Sequence, residues 1–222
     1  MGLFADYLAL TVGAVLPVLN PVGSSLIFLG MVGTAPRQVF TMLARRVAFA
    51  TFLFLLATDV AGAAVLRAFG ISLPVVQLGG GIVIAAMGWE LLNKNDVQGQ
   101  QHASPHMADT TALRGMIFYP FTFPITAGPG VMVVMLTLSA HASKEVLPDM
   151  LFAQLGVLAA MVLLSLTVFV FYAYAPAITA RISVSTAHGI LRVVSFILFC
   201  IGVQIAWNGL SALMAAEHFV RH

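Results

Sequence analysis

Hydrophobic positions run along this chain in long unbroken stretches and do not alternate. Charge-free or nearly charge-free segments cover residues 7–36, 47–66, 68–89, 115–143, 150–180 and 193–216, with Asp59 the one charge inside the second. Each supplies the ~20 apolar residues that cross a hydrocarbon core about 30 Å thick. None shows the ~10-residue alternating pattern of a membrane β-barrel strand. The pattern predicts an all-α, polytopic membrane protein with six transmembrane helices.

Composition agrees. The chain is 60% hydrophobic and 8% charged, where a soluble domain carries about 25% charged residues. The start, "MGLFADYLAL", has no basic region before its apolar run and carries Asp6, so the first segment is expected to stay as a membrane span and not to be cleaved as a signal peptide. Asp6 also occupies the place where a myristoylation signal needs Ser or Thr. Arg37, Arg45, Arg46, Lys94, Arg114, Arg181 and Arg192 fall in or beside loops 1, 3 and 5, against Arg67, Lys144 and Arg221 on the other side. Seven against three predicts cytoplasmic loops 1, 3 and 5 and both termini periplasmic. The net charge of +2 thus reports topology. No basic patch interleaved with aromatics points to nucleic acid. Cys200, alone and mid-segment, is expected to be a small buried side chain.

Two segments contain helix breakers where a span should be continuous. In "VLNPVGSSLIF", residues 18–28, the core is Asn20-Pro21-Val22-Gly23; in "FPITAGPGVMV", residues 123–133, it is Thr126-Ala127-Gly128-Pro129-Gly130. At a constant offset of 107, Pro17 falls on Pro124, Pro21 on Gly128 and Gly23 on Gly130. Further along, "AAMGWELL" (85–92) matches "FCIGVQIA" (199–206) at an offset of 114, pairing Gly88 with Gly202 and Glu90 with Gln204. A repeat of three spans crosses an odd number of times, so its second copy enters from the opposite side. The chain therefore divides into a three-helix repeat (1–93), a cytoplasmic linker (94–114) and an inverted three-helix repeat (115–222), with helices 1 and 4 discontinuous.

Broken helices free backbone N–H and C=O groups, which is costly in lipid and acceptable around a polar ligand. The half-helix after Gly23 is expected to present the amides of Ser24, Ser25 and Leu26, and that after Gly130 those of Val131, Met132 and Val133, to a carboxylate. Carbonyls around Leu19, Asn20, Thr126 and Ala127 would receive an ammonium group. A small zwitterion, an amino acid, fits both. The alternative is that Pro and Gly only kink and pack membrane helices; two breaks at corresponding places weigh against it.

"NPVGSSLIFLGM" with a second "FPITAGPG", in six spans of about 220 residues, resembles the MarC/SnatA family of bacterial and archaeal inner-membrane proteins. The resemblance covers essentially the whole chain. It implies a transporter of small neutral amino acids such as glycine and alanine, working as an exporter of the LysE-type group, with Asn20, Pro21, Gly23, Thr126, Ala127, Gly128, Pro129 and Gly130 at its site. Leu26 departs from the pattern, where a second proline is expected.

Among polar residues inside spans, Asp59 is the candidate for proton or cation coupling, since an intramembrane carboxylate is expensive unless paired or wet; the alternative is a structural acid one or two turns from Arg67. Glu90 is expected to pair with Lys94 at i, i+4. Gln77, Gln204 and Asn208 are expected to link helices, and Gly79, Gly80 and Gly81 to press helix 3 on a partner near the first break. Thr126 and Tyr119 are candidate hydroxyl donors to substrate. His102 and His106 flank Pro105 in the linker without a third ligand, so no metal or other cofactor is expected.

An intramembrane enzyme is disfavoured. No His-Glu-x-x-His motif exists and the six histidines lie at loops or ends, away from any buried serine. The remaining alternative is a channel, or a carrier of another small solute.

Overall fold

The computed structural model describes residues 2–93, 110–142, 147–181 and 184–220. Among these the chain is helical: α1 (Gly2–Leu19), α2 (Pro21–Val32), α3 (Arg37–Ala68), α4 (Leu73–Asn93), α5 (Thr110–Gly115), a proline-rich segment of wide turns (Ile117–Thr126), α6 (Pro129–Ala142), α7 (Asp149–Ala173), α8 (Ala175–Arg181) and α9 (Val184–Val220). Five stretches are long and apolar enough to cross a membrane: Gly2–Val32, Arg37–Ala68, Leu73–Asn93, Asp149–Ala173 and Gly189–Ala216. A sixth appears when Ile117–Thr126 and Pro129–Ala142, bent by 69°, count as one span.

Helix limits follow local chemistry more than the charge-free runs. Gly33, at φ 65°, closes α2 with its amide on the Leu29 carbonyl, the left-handed exit that glycine permits. α3 then begins at Arg37, so Arg45 and Arg46 sit more than two turns inside it and not at its start. The fifth run divides at Tyr174, where α7 gives way to α8. Arg37 lays its guanidinium 5.2 Å from the Tyr174 ring centroid, joining the start of α3 to this corner through a cation–π contact.

α4 packs along α9 in an antiparallel crossing. A methyl group at Gly88 would stand 2.9 Å from the Ser195 carbonyl oxygen and crowd the Phe199 backbone; one at Gly202 would stand 2.7 Å from the Gly81 carbonyl oxygen and crowd Ala85. These four contacts exchange with one another under the 114-residue offset. Glycine allows the two backbones to touch. The glycines of α4 therefore serve α9 and α6, and not the first break: Gly81 faces Ala206 and Gly202, Gly80 faces Val133, and Gly79 faces open space.

The core lies between α1, α2, α3, the proline-rich segment, α6 and α7. Phe28, Phe40, Phe121 and Tyr172 are among its largest fully buried side chains. Cys200 is exposed on α9, contrary to expectation: a surface that meets lipid is as apolar as a protein interior, so hydropathy does not separate the two.

Candidate functional site

At the first break the distortion is confined to one residue. Asn20 takes the left-handed conformation, φ 42° and ψ 64°, and its Oδ1 accepts the Gly23 amide at 3.1 Å. Asn tolerates this region better than other residues with a Cβ and is a strong helix N-cap. Pro21, the first residue of α2, has no N–H, so the Pro17 carbonyl loses the donor that a continuous helix would supply. The Ser24 amide bonds the Asn20 carbonyl at 2.9 Å, and Ser25 and Leu26 follow inside the helix. The expected row of free amides at Ser24, Ser25 and Leu26 is thus absent, because the cap starts the ladder early. Among the described residues the Val22 amide has no backbone acceptor.

The second break is wider. Tyr119 and Phe123 are extended, at φ −117° and −119°, as the residue before a proline prefers. Around each of them the chain makes a wide turn: Phe121 N–H to Met116 O at 3.1 Å and Ala127 N–H to Thr122 O at 2.8 Å. α6 then starts at Pro129. Here too the expected amides are taken, with Val131 and Met132 both donating to the Gly128 carbonyl, at 3.0 and 3.3 Å. The amides of Gly128 and Gly130 have no backbone acceptor among the described residues. Pro129 has no N–H to offer the Ile125 carbonyl.

The two breaks meet. A methyl group at Gly130 would lie 3.1 Å from Val18 Cγ1 and 2.9 Å from Ile84 Cγ1. Tyr172, on α7, spans the gap: its hydroxyl lies 2.6 Å from Thr126 Oγ1 and faces Ser24. Thr126 donates its one proton to the Phe121 carbonyl at 2.6 Å. Tyr172 must therefore donate to Thr126, leaving its own oxygen free to accept. Ser24 is 3% exposed, and its Oγ has no hydrogen bond of good geometry. Ser25 Oγ, by contrast, is satisfied by the Val22 carbonyl at 2.8 Å. The hydroxyls of Thr11, Thr51 and Ser165, on α1, α3 and α7, are likewise buried without a partner. Each such group costs about 1–3 kcal/mol when it stays unpaired.

An aromatic cluster closes one side. The Phe28 ring stacks on Tyr172 at 4.4 Å and meets Phe121 edge-on at 5.0 Å and Phe40 at 6.0 Å.

Asp59 stands apart from the breaks. Ser139 Oγ, on α6, donates to the Asp59 carbonyl at 3.2 Å and lies beside its carboxylate; Oδ1 is buried without a partner. Arg67, the expected neighbour, instead bonds the Ala63 carbonyl at 3.2 Å. Two residues earlier on α6, Thr137 Oγ1 accepts from Gln77 Nε2 of α4 at 3.3 Å. The far end of α6 is thus tied to both α3 and α4.

Other expectations divide. Gln77 does link helices. Gln204 bonds only Asn208, at 2.9 Å on the exposed face of α9. Tyr119 is 68% exposed and offers no hydroxyl to the breaks. Lys94, His102 and His106 lie outside the described residues. Tyr172 had no signal in the sequence beyond being a hydroxyl-bearing aromatic in an apolar run.

Residues 5–214 match the family model described as MarC family integral membrane protein. The chain belongs to the MarC family. Among its MarC-family relatives, the inner membrane protein MarC of Salmonella paratyphi A is 26% identical over 219 residues, covering 91% of this chain and 93% of the relative. The protein of the same name from Citrobacter koseri is 27% identical over 222 residues, with the same coverage. A membrane protein of Methanocaldococcus jannaschii is 27% identical over 208 residues, 92% of this chain and 96% of the relative. No solved structure matches the chain.

Proposed function

We propose that this MarC-family protein is a secondary transporter of the inner membrane that moves small neutral amino acids, of the glycine and alanine type, outward. The observation that carries this is the meeting of two broken helices at a buried place whose polar groups are incompletely paired. The amides of Val22, Gly128 and Gly130, near the positive ends of α2 and α6, suit a carboxylate. The Pro17 and Ile125 carbonyls suit an ammonium group, and Ser24 Oγ suits either. A zwitterion with both charged groups on one carbon satisfies donors and acceptors together. Nothing in the arrangement resembles a nucleophile with its base, so we read a carrier and not an enzyme.

The reciprocal α4–α9 contacts support two inverted three-helix repeats that rock about the paired breaks. The basic residues support cytoplasmic loops 1, 3 and 5 and periplasmic termini. Asp59, on the α3–α6 contact, is the group for proton coupling. The test is ligand-dependent thermal unfolding of the purified protein in detergent. Glycine and alanine raise the midpoint with saturation and leucine does not; no shift with any amino acid refutes the reading.

A further inference from the structure

We infer that Tyr172 and Phe28 set the size limit of the solute held between the two breaks. The inference rests on the carrier reading above and adds a residue from a helix that contributes neither break. Tyr172 is fully buried at 0% exposure. Its hydroxyl donates to Thr126 at the second break and lies beside Ser24 just after the first. Its ring stacks on Phe28 at 4.4 Å with an interplanar angle of 21°, and Phe121 holds Phe28 from the side at 5.0 Å.

The hydroxyl and the ring do different things. The hydroxyl gives its proton to Thr126 and turns its remaining acceptor site toward Ser24, so it orders the polar end of the site. The stacked pair is wall: two aromatic faces pressed together, themselves buttressed by Phe121 and Phe40, cannot open by a rotamer change of one ring, because interiors are close-packed. A side chain of hydrogen or methyl requires no space there. A branched side chain requires the wall to move. Selection for glycine and alanine over valine and leucine then comes from α2 and α7, and not from the glycines of the breaks.

The test is exchange of labelled amino acids in proteoliposomes, comparing the wild type with Tyr172→Phe and Phe28→Ala, or Phe28→Leu where the alanine variant does not reach the bilayer folded. Tyr172→Phe keeps the ring and loses a charge-free hydrogen bond, so the alanine concentration for half-maximal exchange rises about tenfold while the alanine-to-valine preference stays. Phe28→Ala or Phe28→Leu admits valine and leucine while alanine exchange persists, lowering that preference at least tenfold. A purely structural role would lower the yield of folded protein without changing the preference. Wild-type selectivity in folded Phe28 variants overturns the inference, whatever Tyr172→Phe does to half-saturation, while leaving the carrier standing. A wild type that exchanges no amino acid overturns the carrier reading and this inference with it.

Discussion

Gly130 lies against Val18: a methyl group on the first would stand 3.1 Å from Cγ1 of the second, so the end of the second break packs on the helix that leads into the first. This approach is tighter than most real Cβ contacts, and with Ile84 Cγ1 closer still at 2.9 Å it explains why glycine occupies the position. At Gly23 the space is filled instead by the capping side chain of Asn20.

Gly130→Val and Gly23→Val are therefore expected to abolish alanine-dependent thermal stabilisation, the first by pushing the breaks apart and the second by displacing the Asn20 cap. Both variants should still insert in the membrane. Normal alanine binding by either would make the glycines packing features only.

Asn20→Ala removes a side-chain cap, worth about 1 kcal/mol, and places alanine in a left-handed conformation that costs roughly another 1–2 kcal/mol. Asn20→Gly loses the cap and keeps the conformation. The midpoint of thermal unfolding should fall in the order wild type, Asn20→Gly, Asn20→Ala. An alanine variant as stable as the wild type would mean that the left-handed turn is not maintained.

Gly202→Val should be among the most damaging single changes, because the obstacle is the backbone of Gly81 and Ala85, which cannot rotate away. A loss beyond about 3 kcal/mol is expected from such overpacking, seen as aggregation or loss of folded yield. Gly79→Ala, where a methyl group meets nothing within 4 Å, should be neutral or slightly stabilising. Equal effects of the two would refute the close crossing of α4 and α9.

How much of this was legible in the sequence depends on how local each cause is. Both breaks could be read directly, since Pro removes a donor and Gly removes a Cβ wherever they stand. The ladder around them could not. The cap at Asn20 and the carbonyl of Gly128 consume the amides that a simple break would free, and which group wins depends on geometry at the scale of one hydrogen bond. The spans are legible from hydropathy, but not which face of each meets lipid, so the exposure of Cys200 and Tyr119 is not. Tyr172 acquires its role only because α7 passes between two elements distant in sequence, and "FVFYAYAP" gives no reason to prefer it over Tyr174.

Asp59→Asn keeps the shape of the side chain and removes its charge. Transport by this variant is expected to lose its dependence on pH while the fold and the Ser139 bond to the Asp59 carbonyl persist. The rate of alanine exchange measured across pH 5–8 checks this, and an unchanged pH profile would return Asp59 to a structural role at the α3–α6 contact.

The most direct test of the central claim is counterflow: labelled alanine outside proteoliposomes, with or without unlabelled alanine or glycine trapped inside. The two-break carrier predicts uptake that saturates and is accelerated by internal alanine or glycine. Uptake that follows the gradient alone, without acceleration or saturation, would indicate a channel, and no alanine flux above empty liposomes would contradict the assignment of small neutral amino acids to this site.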